Sequence, residues 1–171
     1  MSAYFQFCLI SLLPLLAIVA AAKDISSYII PNWISLGLMA AFFMLAATAG
    51  VTLPVLGSHL LVGVVALFIG MGLFALGWIG GGDAKLASAT ALWFGWEPLF
   101  DYGFTASIIG GALTLVVVEL HRRELPKSLM SIGFIAKLAD KQGRVPYGIA
   151  LALSGLLIYP HSPLWERLGS L

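Results

Sequence analysis

The stretch that decides the fold runs from Leu56 to Lys85 and reads LGSHLLVGVVALFIGMGLFALGWIGGGDAK. Residues 56–78 carry no Asp, Glu, Lys or Arg. A run of about 20 apolar residues is long enough to cross the hydrocarbon core of a bilayer as an α-helix. Three glycines interrupt the apolar run, and Asp83 follows them directly. The stretch therefore predicts a membrane-spanning helix that ends in a glycine-rich turn carrying an acidic residue.

The rest of the chain has the same apolar character. Hydrophobic residues make up 60% of its 171 residues and charged residues only 10%, against roughly 25% charged in ordinary soluble domains. This composition excludes a water-soluble globule and predicts an all-α membrane protein with one domain, residues 1–171. Polar and Gly/Pro breaks between the apolar runs predict a bundle of about six transmembrane helices, over 3–22, 33–50, 56–78, 84–100, 103–120 and 145–160.

The basic residues predict how these spans are oriented. Of the nine Lys and Arg, eight are Lys23, Lys85 and six residues within 121–144, and these fall in the first, third and fifth loops. Because cytoplasmic loops carry an excess of Lys and Arg, the odd loops are expected in the cytoplasm and both termini outside. No basic residue precedes the first apolar run as a signal peptide requires, so that run is interpreted as a retained span.

The fifth loop has its own pattern. Most apolar side chains of residues 125–139 fall on one side of a helical wheel, and Met130 and Phe134 are exceptions near the other side. That other side carries Lys127, Lys137, Asp140 and Lys141. This arrangement is typical of an amphipathic helix that lies in the membrane interface. We therefore expect a cytoplasmic interfacial helix over about 125–139.

Several classes of function are disfavoured by the remaining composition. A formal charge of +1 provides no strong field to hold nucleic acid by its phosphates. Cys8 is the single cysteine, so neither an intramolecular disulfide nor a Cys-x-x-Cys zinc site is expected. His59 and His161 are interpreted as surface residues, and the five tryptophans, Trp93 among them, as interfacial anchors.

Two acidic residues remain as candidates for chemistry, since ionisable groups near hydrocarbon are costly. In the predicted topology the first span delivers Asp24 to its cytoplasmic end, and the turn after the third span delivers Asp83 to the same depth. Two carboxyl groups held close together share one proton, so that one acts as base and the other as acid. Such a pair suits the activation of a water molecule against a peptide carbonyl.

Each of these residues also has a simpler interpretation. Asp83 stands where an aspartate caps a helix N-terminus, and Asp24 can be an interfacial residue beside Lys23. A metal site is weaker, because two carboxylates without a nearby His or Cys would need several further oxygen ligands to hold Mg²⁺ or Ca²⁺. The joint placement of both aspartates favours a catalytic pair over these alternatives, with no metal and no cofactor expected.

Three motifs in this order resemble those of the type IV prepilin peptidases, Gly-x-Gly-Asp membrane proteases. The motifs are Asp24 with Ile30-Pro31-Asn32, then Gly80-Gly81-Gly82-Asp83-Ala84-Lys85, then Val145-Pro146-Tyr147-Gly148-Ile149-Ala150. The length of the chain is similar to that of the short form, the CpaA- or TadV-like enzymes of tight-adherence (Flp) pilus systems.

The resemblance implies an aspartic endopeptidase of the bacterial inner membrane that removes the leader from pilin precursors at the cytoplasmic face. By this match Asp24 and Asp83 are the catalytic residues. The remaining matched positions are expected to shape the site or contact the substrate, and they are Pro31, Asn32, Gly80, Gly82, Lys85, Pro146, Tyr147 and Gly148. The partners implied are an Flp-type or type IV prepilin and the lipid bilayer.

Longer relatives in this family carry paired Cys-x-x-Cys motifs and also methylate the trimmed pilin. With Cys8 alone, this chain is expected to act as a peptidase without methyltransferase activity. Two other functions stay open from the sequence. One is a small transporter in which the aspartates carry protons or cations, and the other is a membrane scaffold for pilus assembly without catalysis.

Overall fold

A computed structural model of the protein describes residues 3–122, 126–139 and 145–165, and these ranges contain helices and no strand. The helices follow one another in these ranges without a strand between them. They are α1 (Ala3–Ser27), α2 (Asn32–Thr48), α3 (Leu53–Ala75), α4 (Gly81–Phe94), α5 (Trp96–Arg122), α6 (Lys127–Met130), α7 (Gly133–Leu138), α8 (Tyr147–Ile158) and the 3₁₀ helix Tyr159–His161.

Three of the described helices are long and apolar enough to cross a membrane, namely Tyr4–Ser27, Leu53–Ala75 and Trp96–Arg122. The all-helical fold is confirmed, but the predicted count of about six spans is not. Asn32–Thr48 and Tyr147–His161 are apolar but shorter. Helix α4 has only 14 residues and carries buried residues on most of its length, so its apolar character reflects packing inside the bundle.

The boundary between the predicted spans 84–100 and 103–120 is wrong. The chain turns at Gly95, and Asp101 lies exposed within the continuous helix α5. Gly95 has a φ of +74°, a conformation that strains residues with a side chain. Asp101 and Tyr102 interrupt the apolar pattern in the sequence and so resemble a loop. The chain turns instead at Gly95, which ends α4.

The single interfacial helix expected over 125–139 is also wrong in its form. The chain forms two short helices, α6 and α7, separated at Ser131 and Ile132. The Ser131 hydroxyl donates to the carbonyl of Ser128 at 2.7 Å, which satisfies the backbone locally where the helix is interrupted. Of the residues on which the expectation rested, Leu125, Asp140 and Lys141 lie outside the described ranges.

The core forms where α1, α2, α4 and α8 meet. Trp93 is fully buried there and packs edge-on against Phe42 and Tyr159. Its indole N–H donates to the carbonyl of Leu38 at 3.2 Å. The interpretation of Trp93 as an interfacial anchor is therefore wrong, because this indole finds its hydrogen-bond partner inside the bundle.

Helix α3 lies along α4 at very short range. A Cβ on Gly63 would lie 2.6 Å from Cδ2 of Leu92, and a Cβ on Gly70 would lie 2.9 Å from Cβ of Ala84. His59 is buried in the same interface, with Nδ1 2.6 Å from the carbonyl oxygen of Leu92. The expectation of a surface position for His59 is thus wrong, since Leu92 and Gly95 at the end of α4 lie against its ring.

Candidate active site

Asp24 lies in the last turn of α1 and is only 4% exposed. The helix ends three residues later, and the backbone N–H of Tyr28 donates to the carbonyl of Asp24 at 2.9 Å. Tyr28 has a φ of +54°, which turns the chain sharply out of the helix. The end of α1 therefore leaves Asp24 facing the interior of the bundle.

The carboxylate of Asp24 is held against the first turn of α8. A Cβ on Gly148 would lie 2.7 Å from Oδ2 of Asp24, so only a glycine leaves room for the carboxylate in this position. The backbone N–H groups of Gly148 and Ile149 lie beside the carboxylate. Oδ2 itself makes no hydrogen bond of acceptable geometry to any described residue. One carboxylate oxygen is thus buried with unused capacity to accept a proton or a hydrogen bond.

Asp83 is positioned by its own helix. It is the third residue of α4 and is 7% exposed, and its Oδ2 accepts a hydrogen bond of 2.8 Å from the N–H of Gly80. Burial raises the pKa of the Asp83 carboxyl above its usual value, and the hydrogen bond from Gly80 acts in the opposite direction. The simpler interpretation of Asp83 as a helix cap therefore holds for one of its oxygens, and the carboxyl is nevertheless buried in the site.

Ile30 joins the two carboxylate regions. A Cβ on Gly82 would lie 3.1 Å from Cβ of Ile30, and a Cβ on Gly148 would lie 2.7 Å from Cδ1 of the same residue. Ile30 is therefore packed between the start of α4 and the start of α8. The negative charge of Asp83 acts on Asp24 through space. Two distant parts of the sequence thus place two buried carboxylates in one site.

The predicted residues of the α1–α2 connection lie beside this site. Pro31 precedes the first residue of α2, with φ −63° and ψ 140°, and Asn32 begins the helix. The side chain of Lys85 reaches across from α4 and donates to Oδ1 of Asn32 at 2.9 Å, in an exposed position. This hydrogen bond links the start of α2 to the start of α4 at the rim of the site.

The residues at the start of α8 have separate surroundings. Pro146 is fully buried at the N-cap position of the helix. Tyr147 points toward α5, where its hydroxyl is 3.0 Å from Oγ1 of Thr114 and its ring would contact a Cβ on Gly110 at 3.1 Å. Among these residues, Gly148 contacts Asp24, whereas the neighbouring Tyr147 packs against α5.

Ile30 is the residue at this site to which sequence reasoning assigned no role. Its place between Tyr28 and Pro31 marks a short connection, but nothing in the sequence indicates that it packs against two glycines from other helices. Within the described ranges, no group of three or more His, Cys, Asp or Glu side chains is placed to hold a metal ion. Two neighbouring carboxyl groups are chemically able to act as general base and general acid.

The sequence profile of the type IV leader peptidase family matches residues 11–115. The chain belongs to this family. The match includes both Asp24 and Asp83 and ends before Gly148, so it covers the two carboxylates and not the start of α8. The resemblance stated from the motifs is thereby confirmed, and membership assigns the chain to the peptidases. The searches of curated proteins and of solved structures gave no match.

Proposed function

We propose that this type IV leader peptidase is an aspartic endopeptidase of the bacterial inner membrane that uses Asp24 and Asp83 as a catalytic pair. One carboxylate accepts a proton from a water molecule while the water attacks the peptide carbonyl. The other, protonated, carboxyl group donates its proton to the developing oxyanion. As the C–N bond breaks, the first carboxyl passes the proton taken from the water to the leaving amine, and the second recovers its proton from the hydroxyl of the intermediate. The pair shares one proton in the resting state.

The observation that carries the proposal is that both aspartates are buried in one site although they come from separate elements. Asp24 belongs to the end of α1 and Asp83 to the start of α4. Burying two carboxyl groups near each other costs folding free energy unless one is neutral. Two buried carboxyl groups in one site, with Oδ2 of Asp24 accepting no hydrogen bond from a described residue, are the arrangement that acid–base catalysis on a peptide bond requires.

The substrate proposed is an Flp-type or type IV prepilin, whose leader is cut at the cytoplasmic face. This orientation rests on the basic residues, since Lys23 and Lys85 flank the two aspartates in the sequence. The same basic residues are suited to anionic lipid head groups at that face. The proposal includes no methyl transfer, because Cys8 is the only cysteine of this chain.

The test is cleavage of a co-expressed Flp-type prepilin in membranes by the wild-type chain, Asp24→Asn and Asp83→Asn at matched protein levels. Asn keeps the size of the side chain and removes its acid–base chemistry, so processing by the wild type and loss in both variants is expected. Processing that survives either substitution would contradict the pair mechanism, and no processing by any of the three proteins would favour a scaffold or a transporter.

The transporter alternative makes a different prediction for the same variants. A relay of carboxylates from one face of the membrane to the other would leave prepilin uncut by all three proteins. It would also give proton- or cation-dependent transport that Asp24→Asn abolishes. The shared site of Asp24 and Asp83 favours the peptidase, because a relay needs groups spaced along a path.

A further inference from the structure

Gly70 is a buried residue of α3 at the point where this helix meets the first turn of α4. A glycine inside a helix costs free energy relative to alanine, because its backbone loses more conformational freedom on folding. Gly57 and Gly72 of the same helix stand in open space, since a Cβ on either would meet nothing within 4 Å. A Cβ on Gly70 would instead meet Ala84. The close approach of α4 is therefore a physical reason for a glycine at position 70.

The contact at Gly70 is made by the first turn of α4 itself and not by the tip of a long side chain. A Cβ on Gly70 would lie 2.9 Å from Cβ of Ala84, 3.0 Å from its Cα and 3.5 Å from its carbonyl oxygen. Ala84 is buried and directly follows Asp83 in the sequence. Backbone atoms cannot rotate away from an added methyl group. A larger residue at position 70 therefore has to displace the turn that carries Asp83.

The same turn is also in close contact on its other side. A Cβ on Gly82 would lie 3.1 Å from Cβ of Ile30 and 3.3 Å from its carbonyl oxygen. Because an α-helix has 3.6 residues per turn, Gly82 and Ala84 point about 200° apart around the helix axis. The first turn of α4 is thus held between Gly70 and Ile30, and Asp83 lies between these two contacts in the sequence.

Gly63 makes a comparable contact farther along the same pair of helices. A Cβ on Gly63 would lie 2.6 Å from Cδ2 and 2.8 Å from Cγ of Leu92. The hydroxyl of Ser88 donates to the carbonyl of Gly63 at 2.8 Å. Unlike the backbone of Ala84, a leucine side chain can change its rotamer, and Leu92 lies about 12 Å along α4 from Ala84. Position 63 therefore offers a way to disturb the packing of α3 on α4 without moving the first turn of α4.

We propose that Gly70 is a positioning residue, whose missing side chain lets α4 bring Asp83 to the distance from Asp24 at which the two carboxyl groups act together. The inference rests on the proposed function and assigns a role to a residue of α3, outside the three motifs. The hydrogen bond from Gly80 fixes the Asp83 carboxyl within its turn, and Gly70 fixes that turn within the bundle. Because small displacements of reacting groups change the rate of the chemical step, the role predicts an effect on kcat and none on KM.

The first test adds one methyl group at this contact. With purified protein and a full-length Flp-type prepilin, Gly70→Ala should lower kcat by about tenfold and leave KM unchanged. Gly72→Ala adds the same group to the same helix in open space and should cleave as the wild type does. Gly63→Ala is the second control, because it disturbs the packing of α3 on α4 away from Asp83, and its kcat should also be unchanged. A wild-type kcat in Gly70→Ala, a rise in KM alone, or an equal loss in Gly63→Ala would overturn the assignment.

A rescue variant separates positioning from a general loss of stability. Ala84→Gly in the Gly70→Ala background moves the methyl group from α4 to α3 and so conserves the volume of the interface. We expect kcat of this double variant to recover to within about threefold of the wild type. A double variant that cleaves no faster than Gly70→Ala would overturn the assignment. If Gly70→Ala does not fold, the double variant decides alone, and a loss in kcat of about tenfold or more would contradict the proposal.

A last measurement does not depend on cleavage. In a Cys8→Ala background, which removes the only cysteine of this chain, Ile30→Cys and Gly82→Cys introduce two thiols. Their Cβ atoms would lie 3.1 Å apart, just below the range of about 3.5–4.5 Å found in disulfides, so a mild oxidant should join them.

Adding Gly70→Ala should slow this disulfide formation by about threefold, because it displaces the first turn of α4, whereas adding Gly63→Ala should not. Slower crosslinking with Gly70→Ala, together with no prepilin cleavage by the wild-type chain, would support the placement of the turn by Gly70 and contradict the peptidase. Equal crosslinking rates with and without Gly70→Ala would overturn the inference, whatever the wild-type chain cleaves.

Discussion

The start of α4 and the end of α1 each hold a buried aspartate, but they hold it by different means. Asp83 is fixed locally, since its Oδ2 accepts from the N–H of Gly80 three residues earlier. Asp24 has no such bond at Oδ2 and is placed by contact with Gly148 on a helix more than a hundred residues away. One carboxylate depends on its own turn, and the other depends on how the bundle packs.

This difference shows which changes should matter most. A substitution that alters the contact between α1 and α8 moves Asp24 relative to Asp83, and no local hydrogen bond at Oδ2 restores it. Small displacements of reacting groups have large effects on rate. We therefore expect the α8 contact to be more sensitive to substitution than the turn that carries Asp83.

Among substitutions outside the two aspartates, the largest effect should come from Gly148→Ala. The new Cβ would lie 2.7 Å from Oδ2 of Asp24 and from Cδ1 of Ile30, so the carboxylate has to move. We expect kcat/KM for prepilin cleavage to fall by about 100-fold. Gly111→Ala is the control, because a Cβ there meets nothing within 4 Å, and it should cleave as the wild type does. A Gly148→Ala variant with wild-type activity would mean that Asp24 does not act from this position.

A smaller effect is expected from Gly82→Ala in the turn of Asp83. A Cβ at this position would lie 3.1 Å from Cβ of Ile30 and 3.3 Å from its carbonyl oxygen, so both residues have to shift by a few tenths of an ångström. We expect about a tenfold loss in kcat/KM, equivalent to roughly 1.4 kcal/mol. Gly81→Ala is the matched control in the same turn, because its nearest neighbour is the Phe74 ring at 3.6 Å. Equal losses in the two variants would contradict the role given to Ile30.

The smallest effect should follow from Lys85→Met. This change removes the exposed hydrogen bond to Asn32, and exposed polar contacts contribute little to stability. We expect about a twofold loss in cleavage rate. Asn32→Ala should give the same loss, and the double variant should lose no more than either one. Additive losses would indicate that Lys85 and Asn32 act separately, for instance on the substrate.

Much of the fold follows from the sequence because apolar runs and helix starts carry direct physical signals. The start of α2 at Asn32 after Pro31 is such a case. The end of α4 was missed because Asp101 and Tyr102 look like a polar loop in the sequence, whereas Gly95 supplies the left-handed turn. The burial of His59 cannot be predicted from the sequence either, because it depends on Leu92 and Gly95 at the end of α4 lying against its ring.

For the site, the sequence supplied the two aspartates and their glycines but not the contacts among them. The hydrogen bond from the N–H of Gly80 to Asp83 is local, and an aspartate at a helix N-terminus predicts it. The packing of Ile30 between Gly82 and Gly148 is a tertiary contact among three connections, and no periodicity in the sequence encodes it.

The most direct test of the central claim compares Asp24→Asn, Asp83→Asn and the double variant for the rate of prepilin cleavage by purified protein. If the two carboxylates act as one unit, each single variant should lose about 10³-fold, and the double variant should lose no more than either single one. Thermal unfolding of all three proteins controls for folding. A double variant slower than both single variants, or a single variant that cleaves at the wild-type rate, would contradict the account.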